Sequence, residues 1–190
     1  PTAAKNGFGT STSLNSKVWF TLANGVMTEV FYPTLDVPNV QKLEFFVIND
    51  GKIVDEQINL VRSLEIPNSN SLTFKQVNRA KGGEYTISKT YITDPRENTV
   101  LIDVDVDGPS DLPLYVYYDP SLNNSGLHDT AWNEGDVMLA FDGMAPVRDA
   151  ARWAARVAQL EQRIAERAQE LVEFVGLTGL RDADVGTLSF

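Results

Sequence analysis

The chain has 190 residues, of which 43% are hydrophobic and 22% charged, and its formal net charge is −10. These values are typical of a globular chain and argue against wholesale disorder. The acidic balance argues against nucleic acid and anionic membrane surfaces as partners, because like charges repel. The chain has no Cys and one His. We therefore expect no thiolate chemistry, no metal site and no cofactor.

Residues 1–143 are rich in strand patterns separated by turn residues. The runs 18–22 and 26–32 flank Asn24-Gly25, a pair that tolerates the positive φ of a tight hairpin turn. The runs 42–49 and 52–59 flank Asp50-Gly51 in the same way. About nine strands are predicted in all, the others at residues 72–78, 84–93, 98–106, 114–118 and 137–141. This spacing predicts an antiparallel β-sandwich.

Two of these runs, 26–32 and 43–48, carry apolar side chains on both faces. A strand that is apolar on both sides needs cover on both sides. A second sheet of the sandwich can cover one face. We expect a further domain or a partner to cover the other.

The last part of the chain predicts a helix over about residues 147–175. Pro146 suits a first helical position and Gly176 suits a C-terminal stop. Apolar residues spaced by three or four positions form one stripe: Val157, Leu160, Ile164, Ala168, Leu171 and Val175. The predicted fold class is therefore mainly β, an antiparallel sandwich followed by a long C-terminal amphipathic helix.

Composition changes abruptly near Gly143. All 13 Asn and 7 Lys lie before it, and the residues after it contain neither type but 6 of the 9 Arg. A helical appendage explains the loss of Asn but not of Lys, because Lys and Arg form helices about equally well. A junction of two origins explains both. We predict two domains, a β-sandwich at 1–143 and a helical tail at 144–190.

Several uncommon strings in the first part resemble the N-terminal domain of bacterial glucoamylases and glucodextranases: Gly7-Phe8-Gly9-Thr10, residues 18–21, residues 25–33 and residues 118–126. The resemblance implies part of an antiparallel supersandwich packed beside an α/α barrel that carries the catalytic carboxylates. Residues 5–143 cover about half of such a domain. The family also implies a secreted parent for residues 1–143, whereas the location of the composite chain stays open.

The tail resembles a different family. Residues 170–177, Asp182 and residues 186–190 are similar to the helical subdomain of ABC transporter ATPases, nearest the branched-chain amino acid importers. ATP hydrolysis needs a glycine-rich phosphate loop with a Lys, and this sequence contains no such loop. The tail therefore predicts no ATPase activity.

No catalytic residue is predicted. Glu29 is interpreted as a polar strand residue facing an interface rather than as one of a pair of glycosidase carboxylates. Asp103, Asp105 and Asp107 alternate with apolar residues and are interpreted as a solvated strand face. Trp19 and Tyr117 are expected in the core.

Carbohydrate contact is predicted for Trp132, Tyr118 and His128. Aromatic rings suit the apolar faces of glucose, and Trp132 is expected in a loop spanning residues 128–135. Apart from any carbohydrate contact, His128 is expected to be a histidine in a surface loop.

The sequence therefore predicts a non-catalytic accessory domain of an α-glucan-hydrolysing enzyme, with a catalytic α/α barrel and α-glucan as partners. The alternative is an engineered fusion or a standalone interaction protein whose tail helix covers the exposed sheet. A fragment of an ABC transporter ATPase is the weaker alternative. Self-association is also expected, because an exposed sheet face or edge favours it.

Overall fold

The computed structural model describes residues 4–49, 51–135 and 137–143. In this part of the chain there are twelve strands, one short helix and a 3-10 turn at Leu122–Asn124. The strands are β1 Gly7–Thr10, β2 Trp19–Ala23, β3 Val26–Phe31, β4 Pro38–Asn49, β5 Lys52–Asp55, β6 Leu60–Glu65, β7 Phe74–Ala80, β8 Thr86–Thr93, β9 Val100–Asp107, β10 Leu114–Pro120, β11 Asp129–Glu134 and β12 Val137–Asp142. The helix, α1, spans Glu56–Asn59.

The described strands form two main antiparallel sheets and a separate hairpin. The first sheet has the order β1-β2-β3-β4-β10, with β5 also paired to β4. The second sheet has the order β6-β7-β8-β9, and β11 pairs with β12. The prediction of a mainly β, antiparallel architecture is confirmed. The predicted tail helix and its boundary at residue 144 lie outside the described residues.

The first predicted hairpin is confirmed. Asn24 and Gly25 adopt φ values of 53° and 80° between β2 and β3. Both values lie in the left-handed region, which Asn and Gly tolerate better than other residues. Local sequence therefore determines this turn.

The predicted strand at 52–59 is wrong in its second half. The pairing of β5 with β4 ends at Asp55, and the next four residues form α1. The Asp55 carboxylate accepts hydrogen bonds from the backbone N–H groups of Gln57 and Ile58, at 2.6 and 3.2 Å. This N-cap stabilises the helical turn over a further strand residue.

Three strands were not predicted from the pattern, namely β1, β6 and β11. β1 has two glycines among its four residues, which is a poor strand signal. β6 carries Arg62 and Ser63 on an edge of the second sheet. The hydrogen-bonding partner strand, and not local propensity, determines such segments.

The two sheets pack face to face around a shared apolar core. Phe20, Leu22 and Met27 of the first sheet contact Phe74 and Tyr91 of the second. A neighbouring cluster joins Phe45 and Val47 to residues of the second sheet: Leu60, Ala80, Tyr85 and Ile87. This arrangement confirms the β-sandwich.

A charged network lies inside this core. The side chains of Glu56, Asn78 and Lys89 are fully buried. Lys89 Nζ donates to Glu56 Oε2 at 2.7 Å and to the Gly25 carbonyl at 2.6 Å. Asn78 Nδ2 donates to Glu56 Oε1 at 2.6 Å and to the same carbonyl at 2.8 Å. The network therefore connects α1, the second sheet and the turn between β2 and β3.

Within the described residues, no helix has the length and apolar character needed to cross a membrane.

Candidate functional site

Tyr118 lies near the end of β10, opposite Leu43 of β4. Its side chain is half-buried. Burial raises the pKa of the Tyr118 hydroxyl, and the nearby carboxylates of Asp129 and Asp119 raise it further. The hydroxyl is therefore a neutral group that can donate a hydrogen bond at all ordinary pH values.

Asn39 links the end of β10 to the start of β4. Its carbonyl accepts from the Ser121 N–H at 3.0 Å, and its side-chain oxygen accepts from the Asn123 N–H at 3.3 Å. Its amide nitrogen donates to the carbonyls of Tyr32 and Val37. Asn39 thus fixes the turn that follows Tyr118.

The β11–β12 hairpin follows the 3-10 turn, and the loop predicted around Trp132 is wrong. Trp132 lies within β11 rather than in a loop. Its ring contacts that of Phe141 edge-on, with centroids 5.7 Å apart, and 40% of its surface is exposed. A cross-strand aromatic pair stabilises a hairpin, which explains why a segment with weak strand propensity forms β11. The indole is held in position and has surface available for a ligand.

His128 lies in an exposed bend just before β11. Its carbonyl accepts from the Gly143 N–H at 2.8 Å. The predicted surface location of His128 is therefore confirmed. Of the three predicted carbohydrate-contact residues, Tyr118 and His128 both lie beside Asp129, whereas the ring contact of Trp132 is with Phe141.

Carboxylate and amide groups connect the 3-10 turn to β11 and β12. Asp129 Oδ2 accepts from the Leu122 N–H at 2.7 Å, and its Oδ1 is buried without a hydrogen-bond partner among the described residues. Asn123 Nδ2 donates to Asp142 Oδ2 at 2.9 Å. No group of three or more metal-ligating side chains was found among the described residues.

The first sheet has a second face, directed away from the core, that carries aromatic and charged side chains. We call it the outer face and define it by these residues: Phe8, Glu29, Lys42, Glu44, Ile53, Tyr115 and Tyr117. Tyr117 is 43% exposed, so the prediction that it belongs to the core is wrong. It pairs with Glu44, whose neighbours on β4 alternate into the core. Trp19 is partly buried and pairs with Phe31 on this same side of the sheet.

Charge pairs lie between the aromatic rings of the outer face. Lys42 Nζ contacts Glu44 Oε1 at 2.5 Å and lies 4.9 Å from the centroid of Tyr117. Burial opposes the charge on Lys42, but Glu44 outweighs it and raises the pKa of the ammonium. Glu44 Oε2 is buried without a partner among the described residues. Within the described residues, the Glu44 carboxylate is thus paired through Oε1 alone.

Glu29 forms the second charge pair of this face. Its carboxylate accepts hydrogen bonds from Lys5 and Thr21, and Lys5 Nζ also donates to Thr28 at 3.1 Å. Burial opposes ionisation, yet these hydrogen bonds outweigh it and lower the pKa of Glu29 below 4.5. The interpretation of Glu29 as a polar strand residue agrees with this paired state.

A pH dependence follows from this pairing. Because the folded-state pKa lies below the unfolded value, Glu29 stabilises the fold above about pH 4.5, and this contribution is lost as the pH falls through the folded pKa. Glu29→Gln is expected to lower stability at neutral pH and to have less effect at about pH 3. Urea unfolding at both pH values measures this. Glu65→Gln, at an exposed position of β6, is the control, and an equal loss at both pH values would contradict the assignment.

The acids of β9 behave as predicted. Asp103, Asp105 and Asp107 are exposed and alternate with partly buried apolar residues. They form a solvated strand face.

Comparison with known proteins identifies the family. The family model described as "Glucodextranase, domain N" matches residues 1–168. A glucoamylase of Clostridium sp. (strain G0005) is 38% identical over 144 residues, which cover 73% of this chain and 20% of that protein. A crystal structure of a bacterial glucoamylase complexed with acarbose is 35% identical, with a TM-score of 0.67 over 74% of this chain and 21% of that chain.

The chain thus spans about a fifth of the length of these two relatives. The fold described above and the fold of the solved glucoamylase agree over the matched residues. The family model covers well over half of this chain. The chain therefore belongs to the family of N-terminal domains of glucodextranases and glucoamylases.

Proposed function

We propose that this protein is a non-catalytic accessory β-sandwich of an α-glucan-hydrolysing enzyme of the glucoamylase type. Its partner is a catalytic α/α barrel, which the β-sandwich supports. Family membership supports the enzyme class. The observation that carries the structural role is the outer face of the first sheet, where Phe8, Ile53, Tyr115 and Tyr117 are all exposed. Large apolar side chains grouped on one face are typical of an interaction surface.

Glu44 adds a polar element to that surface. Its Oε2 atom is buried and unpartnered among the described residues, and an unpaired buried carboxylate oxygen costs free energy. The acidic net charge of −10 favours a partner with basic groups at the contact.

A separately expressed α/α-barrel domain from the Clostridium glucoamylase tests this role. The barrel is expected to bind the purified chain in surface plasmon resonance. Phe8→Lys is expected to weaken binding, whereas Leu14→Lys, at a fully solvent-facing position, should not. Equal binding by both variants would place the contact elsewhere. The chain alone is expected to release no glucose from maltooligosaccharides.

The proposed carbohydrate contact is made by Trp132, Tyr118 and His128. The exposed indole of Trp132 supplies a stacking face, and the half-buried Tyr118 supplies a hydroxyl group that can donate a hydrogen bond. These are the two kinds of group that bind sugars, apolar ring faces and oriented hydrogen bonds. We place this contact outside the cell for the parent of residues 1–143, where glucan polymers are degraded.

Isothermal titration calorimetry with maltoheptaose measures this contact. Trp132→Ala is expected to weaken binding about tenfold, which corresponds to about 1.4 kcal/mol. Phe8→Ala removes another exposed aromatic ring and is the matched control, with no change expected. The contact is wrong if wild-type protein does not bind, or if Trp132→Ala binds as wild type does.

The two alternative functions depend on residues 144–190. A fusion or interaction protein and a fragment related to ABC transporter ATPases remain predictions from the sequence, since those residues lie outside the described part of the chain.

A further inference from the structure

Strand β10 is an edge of the first sheet within the described part of the chain. It pairs with β4 on one side through residues Leu114–Pro120. Alternate backbone N–H and C=O groups of an edge strand point away from the sheet and can pair with another strand. A long edge strand therefore needs some feature that prevents or uses this pairing.

The other edges of the two main sheets are protected by length or by charge. β1 and β5 have four residues each, and β5 includes Lys52 and Asp55. β6 carries Arg62 and Glu65. β9 presents three exposed aspartates, Asp103, Asp105 and Asp107. Short strands and charged side chains are the usual means of blocking edge pairing.

β10 lacks such protection over most of its length, because Asp119, Pro120 and the bulge between them lie only at its end. It has seven residues, and the first five are uncharged: Leu114, Tyr115, Val116, Tyr117 and Tyr118. Tyr115 and Tyr117 on one face and Val116 on the other are each 43–45% exposed. β-branched and aromatic residues have high strand propensity. Side chains on both faces of β10 thus have surface available to a neighbouring strand.

The exposed rings are also held in fixed positions. Tyr115 stacks on Phe46 of β4 with centroids 5.3 Å apart and planes 12° apart. Lys42 of β4 lies over the Tyr117 ring. In each case the covering group comes from β4, so the opposite face of the ring is directed beyond the sheet edge. Pre-positioned rings lose little conformational entropy when another strand packs against them.

We propose that β10 pairs with β10 of a second copy of this chain, antiparallel about a two-fold axis at Val116. In this register Val116 lies opposite its own symmetry mate, and Tyr115 lies opposite Tyr117 of the other copy. The sequence around Val116 is self-complementary, since aromatic residues flank it on both sides. Aromatic cross-strand pairs stabilise antiparallel strands. The first sheet then continues across the dimer.

The same register separates the two Asp119 residues. Asp119 lies opposite Pro113 of the other copy, so the two Asp119 residues are about 20 Å apart at 3.4 Å per residue. This distance exceeds the Debye length of about 8–10 Å at physiological ionic strength. The two Asp119 carboxylates therefore do not oppose each other, although each chain is acidic. This inference does not depend on the accessory role proposed above.

Crosslinking of the full chain tests the register. The chain has no Cys, so Val116→Cys introduces a single thiol. Directly opposed residues of antiparallel strands have Cα atoms about 4.5–5.5 Å apart, within the range that a disulfide spans. Val116→Cys is expected to form a covalent dimer under mild oxidation. Ile53→Cys, exposed on the β5 edge, is the matched control and should remain monomeric on a non-reducing gel.

Sedimentation velocity over a concentration series tests the association itself. Wild-type protein is expected to dimerise reversibly. Val116→Lys should raise the dissociation constant at least about tenfold because it opposes like charges, whereas Val116→Thr and Ile53→Lys should change it less than about threefold. A wild-type chain that stays monomeric at every concentration would overturn the proposal. So would a dimer that Val116→Lys leaves intact, since the contact would then lie elsewhere.

Discussion

Lys89→Met is expected to destabilise the fold by about 3–5 kcal/mol, since it leaves a buried carboxylate without its counter-charge. Lys89 donates to Glu56 and to the Gly25 carbonyl, and both side chains of the ion pair are fully buried. Burial lowers the pKa of Lys89, and Glu56 opposes this effect. Urea-induced unfolding followed by circular dichroism measures the loss.

Two further variants give this prediction its controls. Lys81→Met removes an exposed Lys in a turn and should change stability by about 0.5 kcal/mol or less. The double variant Glu56→Gln/Lys89→Met removes both charges. Its loss of stability should be smaller than the sum of the losses in the two single variants. If the free energy of unfolding of Lys89→Met lies within about 1 kcal/mol of the wild-type value, the ion pair is not buried in solution.

Phe20→Ala is expected to lower the free energy of unfolding by about 3–5 kcal/mol, because the ring lies at the centre of the core between the two sheets. Phe20 is fully buried and contacts Tyr91 at 5.8 Å and Phe74 at 6.3 Å between ring centroids. Gly9 packs directly against it, since a Cβ atom there would lie 2.1 Å from Phe20 Cζ. The shift of the denaturant midpoint, at an unchanged dependence of the unfolding free energy on denaturant concentration, measures the loss of stability.

Phe8→Ala is the matched control for this truncation. Phe8 neighbours Gly9 on β1 but is directed outward and is 44% exposed, so its loss should be about 1 kcal/mol or less. Phe20→Ala should also reduce the penalty of Gly9→Ala, because it removes the ring that Gly9 contacts. Equal costs for Phe8→Ala and Phe20→Ala would contradict the assignment of the two faces of the first sheet.

The sequence predicts those parts of this fold that local chemistry determines. Asn24-Gly25 is found at the turn between β2 and β3 because few other residues adopt two successive positive φ values. The alternation of Asp103, Asp105 and Asp107 with valines predicts the solvated face of β9 for a similarly local reason. Both patterns are complete within a few residues.

Other parts depend on contacts between distant residues. Lys89 shares a strand face with the buried Ile87 and Tyr91, and its charge is accommodated in the core because Glu56, 33 residues away, provides its partner. β1 forms because β2 is available for pairing, although its glycines disfavour a strand. Tyr117 was assigned to the core because its aromatic character does not indicate which sheet face it occupies.

The carbohydrate contact stays a prediction from the sequence, and the structure adds the contacts that hold its residues. An aromatic residue near a turn-rich segment identified Trp132, but the pairing with Phe141 that holds the indole was not visible in the sequence. Nor was the hydrogen bond from the Leu122 N–H to Asp129, which ties the 3-10 turn to the start of β11. The sequence supplies the residue types, and the tertiary contacts determine which atoms remain available.

The hairpin turn at Gly25 limits how the loops of this domain can change in length. Most hairpin turns lie in solvent, and Gly51 and Gly83 have nothing within 4 Å of where a side chain would begin. The Gly25 carbonyl instead accepts two interior hydrogen bonds, and a Cβ atom there would lie 2.7 Å from Arg62 and from Asn78. An added residue at Gly25 would displace the acceptor that Lys89 requires. Insertions, affinity tags and fluorescent labels are therefore better placed at the turns around Gly51 and Gly83, and the length of the β2–β3 turn is fixed by the core beneath it.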